Sequence, residues 1–359
     1  MSTNRSYVLG LLEGDGIGPE IVPAAVGVVD AALASVGAAP ADWRPLPMGH
    51  SAIAEHGSPI PDSTLEGLAS TDGWLMGPHD SAAYPEPWRS RLNPSGTVRK
   101  HFQLFANIRP SKSFPGSGAI AEGADLVIVR ENTQGFYADR NTFRGTGEYM
   151  PTPDVAIASG VFTREAIERN ARVAFELAEA RGKHVTIVHK ANVLQLTTGL
   201  FRDVCREVAA DHPGVRVDDF HIDAMTVHLV RRARDFDVIV TENMFGDILS
   251  DLAGELCGSL GVAPSLNASA DRAMAQASHG SAPDIAGQGR ANPTAMILSA
   301  AMLLEWLAGR HGDDALARAA KAVDAAIAAV IADGVTTPDM GGTASTGEFG
   351  EAIAARLRA

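Results

Sequence analysis

Apolar runs of strand length recur along this chain: YVLGLL at 7–12, GWLMG at 73–77, DLVIVRE at 125–131, HVTIVHK at 184–190 and FDVIVTEN at 236–243. Helical patterns alternate with them. A continuous apolar strand has to be buried on both faces, and a parallel neighbour has to be reached through a crossover helix. The alternation therefore implies an α/β fold with a largely parallel sheet. The clearest helical stretch is TREAIERNARVAFELAEARG, with Thr163 placed as N-cap and Gly182 just past the end. Others cover about 193–211, 247–260, 294–309 and 314–333. With 359 residues there is room for two domains or one large unit. No internal repeat or low-complexity tract interrupts the pattern. Two loop-rich segments do, 78–97 with its four prolines and 139–154, DRNTFRGTGEYMPTPD, which reads as an arm.

The net charge of −13 argues against a nucleic-acid partner, since phosphate binding needs a basic footprint. It leaves room for small anionic substrates, which need only a local group of arginines. The start, MSTNRSYVLGLLEG, shows no signal-peptide pattern, and no apolar run reads as a membrane span, so no membrane partner is expected. The two cysteines, Cys205 and Cys257, fall in helical patterns and read as reduced packing residues, which suits a cytoplasmic enzyme.

LLEGDGIGPEIV at 11–22 sets Gly14, Gly16 and Gly18 between a strand and a helix. A dinucleotide fingerprint needs G-x-G-x-x-G and an acid about twenty residues on. Here Pro19 stands where the third glycine belongs, and AALASVGAAP at 31–40 contains no acid. The stretch reads as a structural turn, with Pro19 in the first turn of a helix where its missing N–H costs nothing.

Asp247 and Asp251, four apart in NMFGDILSD, share one helix face. They read either as ligands of a hard divalent cation or as a solvated helix face, and the spacing alone leaves both open. Asp223, in FHIDAM, ends a strand-like run and could join them. Lys190 closes an apolar strand, as either a solvated end or an amine with a tuned pKa. Arg130 and Glu131 close another, followed by Tyr137, and Arg99 and Arg109 lie in TVRKHFQLFANIRPSK. Arginine suits bidentate carboxylate recognition, and open α/β sheets bind ligands at their strand ends.

Taken together, GDGIGPE, VRENTQGFY, HKANVL, NMFGDILSD, GSLG and HGSAPDIAGQGRANPTAMILSAAMLLEW resemble the isocitrate/isopropylmalate dehydrogenase family, in order, from about residue 7 to about 309. These are β-decarboxylating dehydrogenases acting on (2R)-hydroxy acids. The resemblance implies a two-domain α/β fold with a mostly parallel central sheet that is not a Rossmann fold. A large cofactor-binding domain would combine 1–104 with 258–359. A small domain, 105–257, would carry the dimer contact, with the arm at about 139–154.

The resemblance also implies site residues. Arg99, Arg109 and Arg130 would clamp the substrate carboxylates, and Tyr137 and Lys190 would be the catalytic acid and base. Asp223, Asp247 and Asp251 would bind Mg²⁺ or Mn²⁺. NAD would lie against Ile17 of the GDGIGPE turn, Asn192, and the loop bearing His279, Gly280, Ser281, Ala282, Asp284 and Asn292. Gly280, Gly287 and Gly289 would let the cofactor approach the backbone of that loop. Asp284 would accept from the adenosine ribose and repel a 2′-phosphate, favouring NAD over NADP. Lys190 and Asp223 would come from a partner subunit, making a homodimer with shared active sites the smallest active unit.

The sequence departs from the isopropylmalate pattern just before Arg99. Asn93, Pro94, Ser95 and Gly96 stand where bulky aliphatics would wall an isopropyl group, whose burial is worth about 2 kcal/mol. Ser95 becomes a candidate substrate contact. His189 and Thr197 resemble the isocitrate and homoisocitrate branch, and Ala224 follows Asp223 where asparagine or serine is usual. The expected substrate is thus a malate core with a polar or small C3 substituent, isocitrate or homoisocitrate type, with 3-isopropylmalate, D-malate and tartrate as alternatives. A non-catalytic regulatory homologue is the reading from another class. Such subunits usually lack part of the lysine, tyrosine and aspartate set, which this chain keeps whole.

Overall fold

The computed structural model describes residues 5–137 and 147–359. Twelve strands among them are β1 Val8–Leu12, β2 Asp42–Pro45, β3 Gly73–Met76, β4 Ala106–Lys112, β5 Asp125–Glu131, β6 Glu148–Thr152, β7 Val155–Ala158, β8 His184–His189, β9 Arg216–His221, β10 Val238–Thr241, β11 Leu266–Ala268 and β12 Ala273–Ala275. The helices are α1 Gly18–Ser35, α2 Gly49–His56, α3 Asp62–Ala69, α4 Pro94–His101, α5 Arg164–Ala180, α6 Thr197–Ala209, α7 Ile222–Arg232, α8 Asn243–Leu256, α9 Thr294–His311, α10 Asp314–Ala332 and α11 Thr346–Arg358.

Ten strands form one sheet in the order β2-β1-β3-β12-β11-β4-β5-β10-β8-β9. Six of its nine neighbouring pairs run parallel. The three antiparallel pairs, β12–β11, β11–β4 and β4–β5, lie together in the middle. The five apolar runs become β1, β3, β5, β8 and β10. β4 hides in the sequence because Arg109 and Pro110 interrupt it, and β9, RVDDFH, because it is an acid-rich edge strand with no fully buried residue. β6 and β7 form a separate hairpin whose residues are all exposed. They take up the second half of the arm expected at 139–154, and residues 139–146 lie outside the described residues.

The helix ends follow local chemistry. The Thr163 hydroxyl caps α5, accepting from Ala166 N–H at 3.4 Å. α8 begins at Asn243, four residues before the expected start, because the Glu242 carboxylate accepts from Met244 and Phe245 N–H at 3.0 and 2.7 Å. α6 begins at Thr197, since Val193 and Leu194 N–H close a turn on the Lys190 carbonyl. Asp223 opens α7 rather than ending a strand. α1 is long and apolar enough to cross a membrane, contrary to the sequence expectation, and its Ile21, Val22, Ala25, Val28 and Val29 are packed in a buried core. Cys205 and Cys257 are free thiols, both buried.

The cores sort along the sheet. One large cluster joins α1, α9, α10 and α11, with a smaller one under β1, β3 and α4. At the other end α5 and α6 cover Val127 and Val129, whereas α7 and α8 cover Leu126 and Ile128. β5 is thus sandwiched, and the strand alternation that separates its two faces also aims Arg130 at α8.

Candidate active site

The site forms where the ends of β4 and β5 meet α8. Arg130 lies opposite Asn107 of β4 and Thr241 of β10, and its guanidinium is fixed by Asn243 Oδ1, which accepts from Nε at 2.9 Å and Nη2 at 2.7 Å. Its Nη1 donates to Asp247 Oδ1. Arg109 Nη1 reaches the same oxygen at 3.2 Å, donates to Ser250 Oγ at 2.6 Å and lies 3.6 Å from Asp251 Oδ1. The Tyr137 hydroxyl donates to Asp247 Oδ2 at 2.8 Å, and Arg130 stacks over the Tyr137 ring. This close approach needs Gly246, where a Cβ would stand 2.6 Å from Arg130 Cβ.

Electrostatics at this junction are strong because both arginines are almost wholly buried. Burial, and then the neighbouring Arg130, push Arg109 down to about 10. Burial alone would raise Asp247, but Arg130, Arg109 and the tyrosine hydroxyl outweigh it and hold the carboxyl below its usual range. Asp251 shifts upward, from burial and from Asp247, with Arg109 opposing. Two hard carboxylates one turn apart, one of them half-exposed and resisting charge, form a donor set that fits a divalent cation.

Asp223 does not join them. It accepts from Lys190 Nζ at 2.5 Å, and that ion pair holds its carboxyl below the usual range. Among the described residues no three His, Cys, Asp or Glu side chains gather to hold a metal. Asn192 is exposed in the turn after Lys190. This neighbourhood is bordered by exposed apolar side chains: Val193, Leu196, Val227 and Val230, with Ile248 beside Asp247.

Arg99 and Ser95 are delivered by α4, whose N-cap is Asn93. Asn93 Oδ1 accepts from Gly96 N–H at 2.7 Å and from the Ser95 hydroxyl at 3.2 Å. His79 Nε2 sits 3.0 Å from Ser95 Oγ, and Arg99 Nη2 donates to Gln276 Oε1 at 3.2 Å. Burial, reinforced by Arg99, pushes His79 down to about 4, so its imidazole is neutral. His79, Ser95, Arg99 and Gln276, with Arg109, His279 and Gly280, line a cleft of about 180 Å³.

The 279–292 loop forms the other wall and is tied to the GDGIGPE turn. Ile17 N–H donates to the Ser281 carbonyl at 2.9 Å, and Gly16, at φ +59°, lies so close that a Cβ would overlap that oxygen. Glu20 accepts from Gly287 and Gly289 N–H at 2.5 and 2.7 Å. Beside Gly280, Gly287 and Gly289 the space is open, and His279 Nε2 is buried without a hydrogen-bond partner, a cradle that fits a nucleotide. Asp284 is exposed and Ala282 half-buried on this loop. Asn292 is buried, accepting from Thr294 N–H and donating to Asp339.

Sequence reasoning passed over several residues that build this site. Asp15 accepts from His50 N–H, Asp80 N–H and the Tyr84 hydroxyl, tying the first turn to the 78–84 segment. Glu20, His79, Asn243 and Gln276 complete the contacts. The signal for Asp15 and Glu20 was present, two acids inside a glycine turn, but their partners are distant in the chain.

The family model for isocitrate/isopropylmalate dehydrogenase matches residues 8–353. The isocitrate/homoisocitrate dehydrogenase of Thermus thermophilus is 43% identical over 98% of this chain and 99% of its own. The 3-isopropylmalate dehydrogenase of Archaeoglobus fulgidus is 42% identical over 97% and 98%. The crystal structure of isocitrate dehydrogenase from Methylococcus capsulatus superposes with a TM-score of 0.87 at 40% identity, covering 98% of this chain and all of that one. The chain therefore belongs to the isocitrate/isopropylmalate dehydrogenase family, and is a decarboxylating dehydrogenase.

Proposed function

We propose that this enzyme oxidises and decarboxylates a (2R)-hydroxy acid with a malate core and a polar C3 substituent, of isocitrate or homoisocitrate type, using NAD and Mg²⁺ or Mn²⁺. The observation that carries the reading is the convergence of Arg109, Arg130 and Tyr137 on Asp247, beside a cleft walled by Arg99 and Ser95. Three guanidiniums suit a di- or tricarboxylate. Asn93 is occupied as a helix cap, so the C3 pocket presents Ser95 and the neutral His79, both hydrogen-bonding and neither an aliphatic wall.

Arg99, Arg109 and Arg130 bind and orient the carboxylates. Asp247 and Asp251 of one copy and Asp223 of a second would hold the cation, and the 279–292 loop with Ile17 and Asn192 would hold NAD. When bound, the cation supplies a Lewis acid at the C2 oxygen, and NAD supplies a hydride acceptor. Lys190 of the second copy takes the C2 hydroxyl proton. Tyr137, hydrogen-bonded to Asp247, donates a proton at C3 after carbon dioxide leaves.

The shared site calls for a homodimer, supported by the exposed apolar side chains around Lys190, Asp223 and Asp247. The proposed division places 105–257 as the dimerising unit, with the β6–β7 hairpin as part of its arm, and 1–104 with 258–359 as the cofactor unit. Two buried free thiols suit a reducing compartment such as the cytoplasm.

The test is a panel of isocitrate, homoisocitrate, 3-isopropylmalate, D-malate and tartrate, each with NAD and Mn²⁺. Isocitrate or homoisocitrate should give the highest kcat/KM. Ser95→Ala should lower it for those substrates by about tenfold or more, for one lost charge-assisted hydrogen bond, and barely change D-malate. A best kcat/KM on 3-isopropylmalate would refute the pocket reading and leave the family standing.

A further inference from the structure

A second pocket, of about 220 Å³, opens behind Arg99. It is lined by Arg99, Lys100 and Gln103 at the end of α4, by Asn132, Thr133 and Gln134 after β5, and by Arg169 of α5. α5 packs on the Val127 and Val129 face of β5, whereas Arg130 and Asp247 belong to the α8 side. The pocket is therefore separate from the Asp247 cluster and shares only Arg99 with the cleft.

Its chemistry is one-sided. Three of its seven lining residues are cationic, the other four are neutral and polar, and none is acidic, in a chain of net charge −13. The Arg169 guanidinium is held in place: Nη2 donates to Thr133 Oγ at 3.0 Å and the group stacks over Phe105 at 4.7 Å. Thr133 is itself anchored, donating its N–H and hydroxyl to the buried Glu131. Arg169 Nε is buried with no hydrogen-bond partner. The residue is only half-buried, but an unmet buried donor on a charged group is costly unless an acceptor arrives. Gln103 holds a left-handed backbone, φ +51°, with its amide folded onto the Lys100 carbonyl at 2.9 Å. A non-glycine residue in that conformation at a pocket wall is strain of the kind that gathers at ligand sites.

We propose that this pocket binds a small oxyanion, a phosphate or a short carboxylate, between Arg169 and Lys100. At about 30 Å³ per water, the volume takes such an ion with some of its hydration, and it is smaller than the pockets that hold drug-sized ligands. Arg99 also lines the substrate cleft. If the proposed function holds, the anion and the substrate carboxylate draw on one guanidinium, and each weakens the other's binding by the same factor.

The experiment locates the anion directly, without activity. Crystals of the full chain are soaked in selenate, and the selenium is placed by anomalous scattering in wild type, Lys100→Glu and Arg169→Gln. Wild type should show selenate within hydrogen-bond distance of Arg169 and Lys100. The peak should vanish in Lys100→Glu, whose exposed position leaves folding intact, and any selenate at Arg109 and Arg130 should stay. Phosphate and malonate are then competed against selenate, and the one that displaces it at lower concentration identifies a phosphoryl or a carboxylate ligand. Selenate found only at Arg109 and Arg130, found nowhere, or retained at full occupancy in Lys100→Glu overturns the proposal.

Discussion

Gly246→Ala probes how closely α8 must lie against Arg130. The added Cβ would fall 2.6 Å from Arg130 Cβ and 2.7 Å from Cγ, about 0.8 Å inside the 3.4 Å where ordinary contact begins. Arg130 is buried and clamped by Asn243 and Asp247, so it cannot swing aside, and α8 must retreat. Overpacking of this kind costs about 1–3 kcal/mol, and alanine returns about 1 kcal/mol of helix propensity. The net loss of stability should be no more than about 2 kcal/mol. Function should suffer more, since α8 carries Asp247 and Asp251, the proposed cation ligands, and a shift near 1 Å in a group that acts at the reacting centre costs about a hundredfold in rate. Gly27→Ala is the control, because its Cβ meets nothing within 4 Å and it lies about two turns along α1 from Glu20, the residue of that helix that grips the 279–292 loop. It should gain up to about 1 kcal/mol at unchanged activity. Urea unfolding and kcat/KM on the preferred substrate read both variants. Gly246→Ala with activity within threefold of wild type would refute the reasoning.

Chelation with EDTA should abolish turnover and Mg²⁺ or Mn²⁺ should restore it, and full turnover in metal-free buffer would remove Asp247 and Asp251 as ligands. NAD should be preferred to NADP, and Asp284→Lys, alone or with Ile285→Tyr, should narrow or reverse that preference in kcat/KM. Tyr137→Phe should lower kcat by about a hundredfold or more with little change in NAD affinity, as expected for a lost proton donor, and an unchanged kcat would take Tyr137 out of the mechanism. Burial pushes Glu242 from 4.5 up to about 7. The folded chain then holds a proton between those pH values that the unfolded chain has released, so stability falls as pH rises through the window, by at most about 3 kcal/mol. Glu242→Gln should flatten that slope in denaturant titrations run from pH 4.5 to 7, and an unaltered slope would assign it to another group.

Local patterns in the chain were enough for the α/β class, the five core strands and the Thr163 cap. They rest on apolar periodicity and on side chains that bond their own backbone, both written within a few residues. The same holds for Asp247 and Asp251, whose four-residue spacing puts them on one helix face in any fold. β4 and β9 were invisible locally, because one is broken by Arg109 and Pro110 and the other is an edge whose pairing with β8 excuses its acids. Nothing near Asp247 in sequence indicates that it gathers Arg109, Arg130 and Tyr137, residues 110 to 138 positions away. The same limit hid the grip of Glu20 on Gly287 and Gly289 and the contact of His79 with Ser95. Packing across the sheet makes these contacts, and burial then sets the charge states that depend on them. His79 shows this most plainly: an ordinary histidine in the sequence, it is neutral in the cleft because buried surface and Arg99 oppose its protonation.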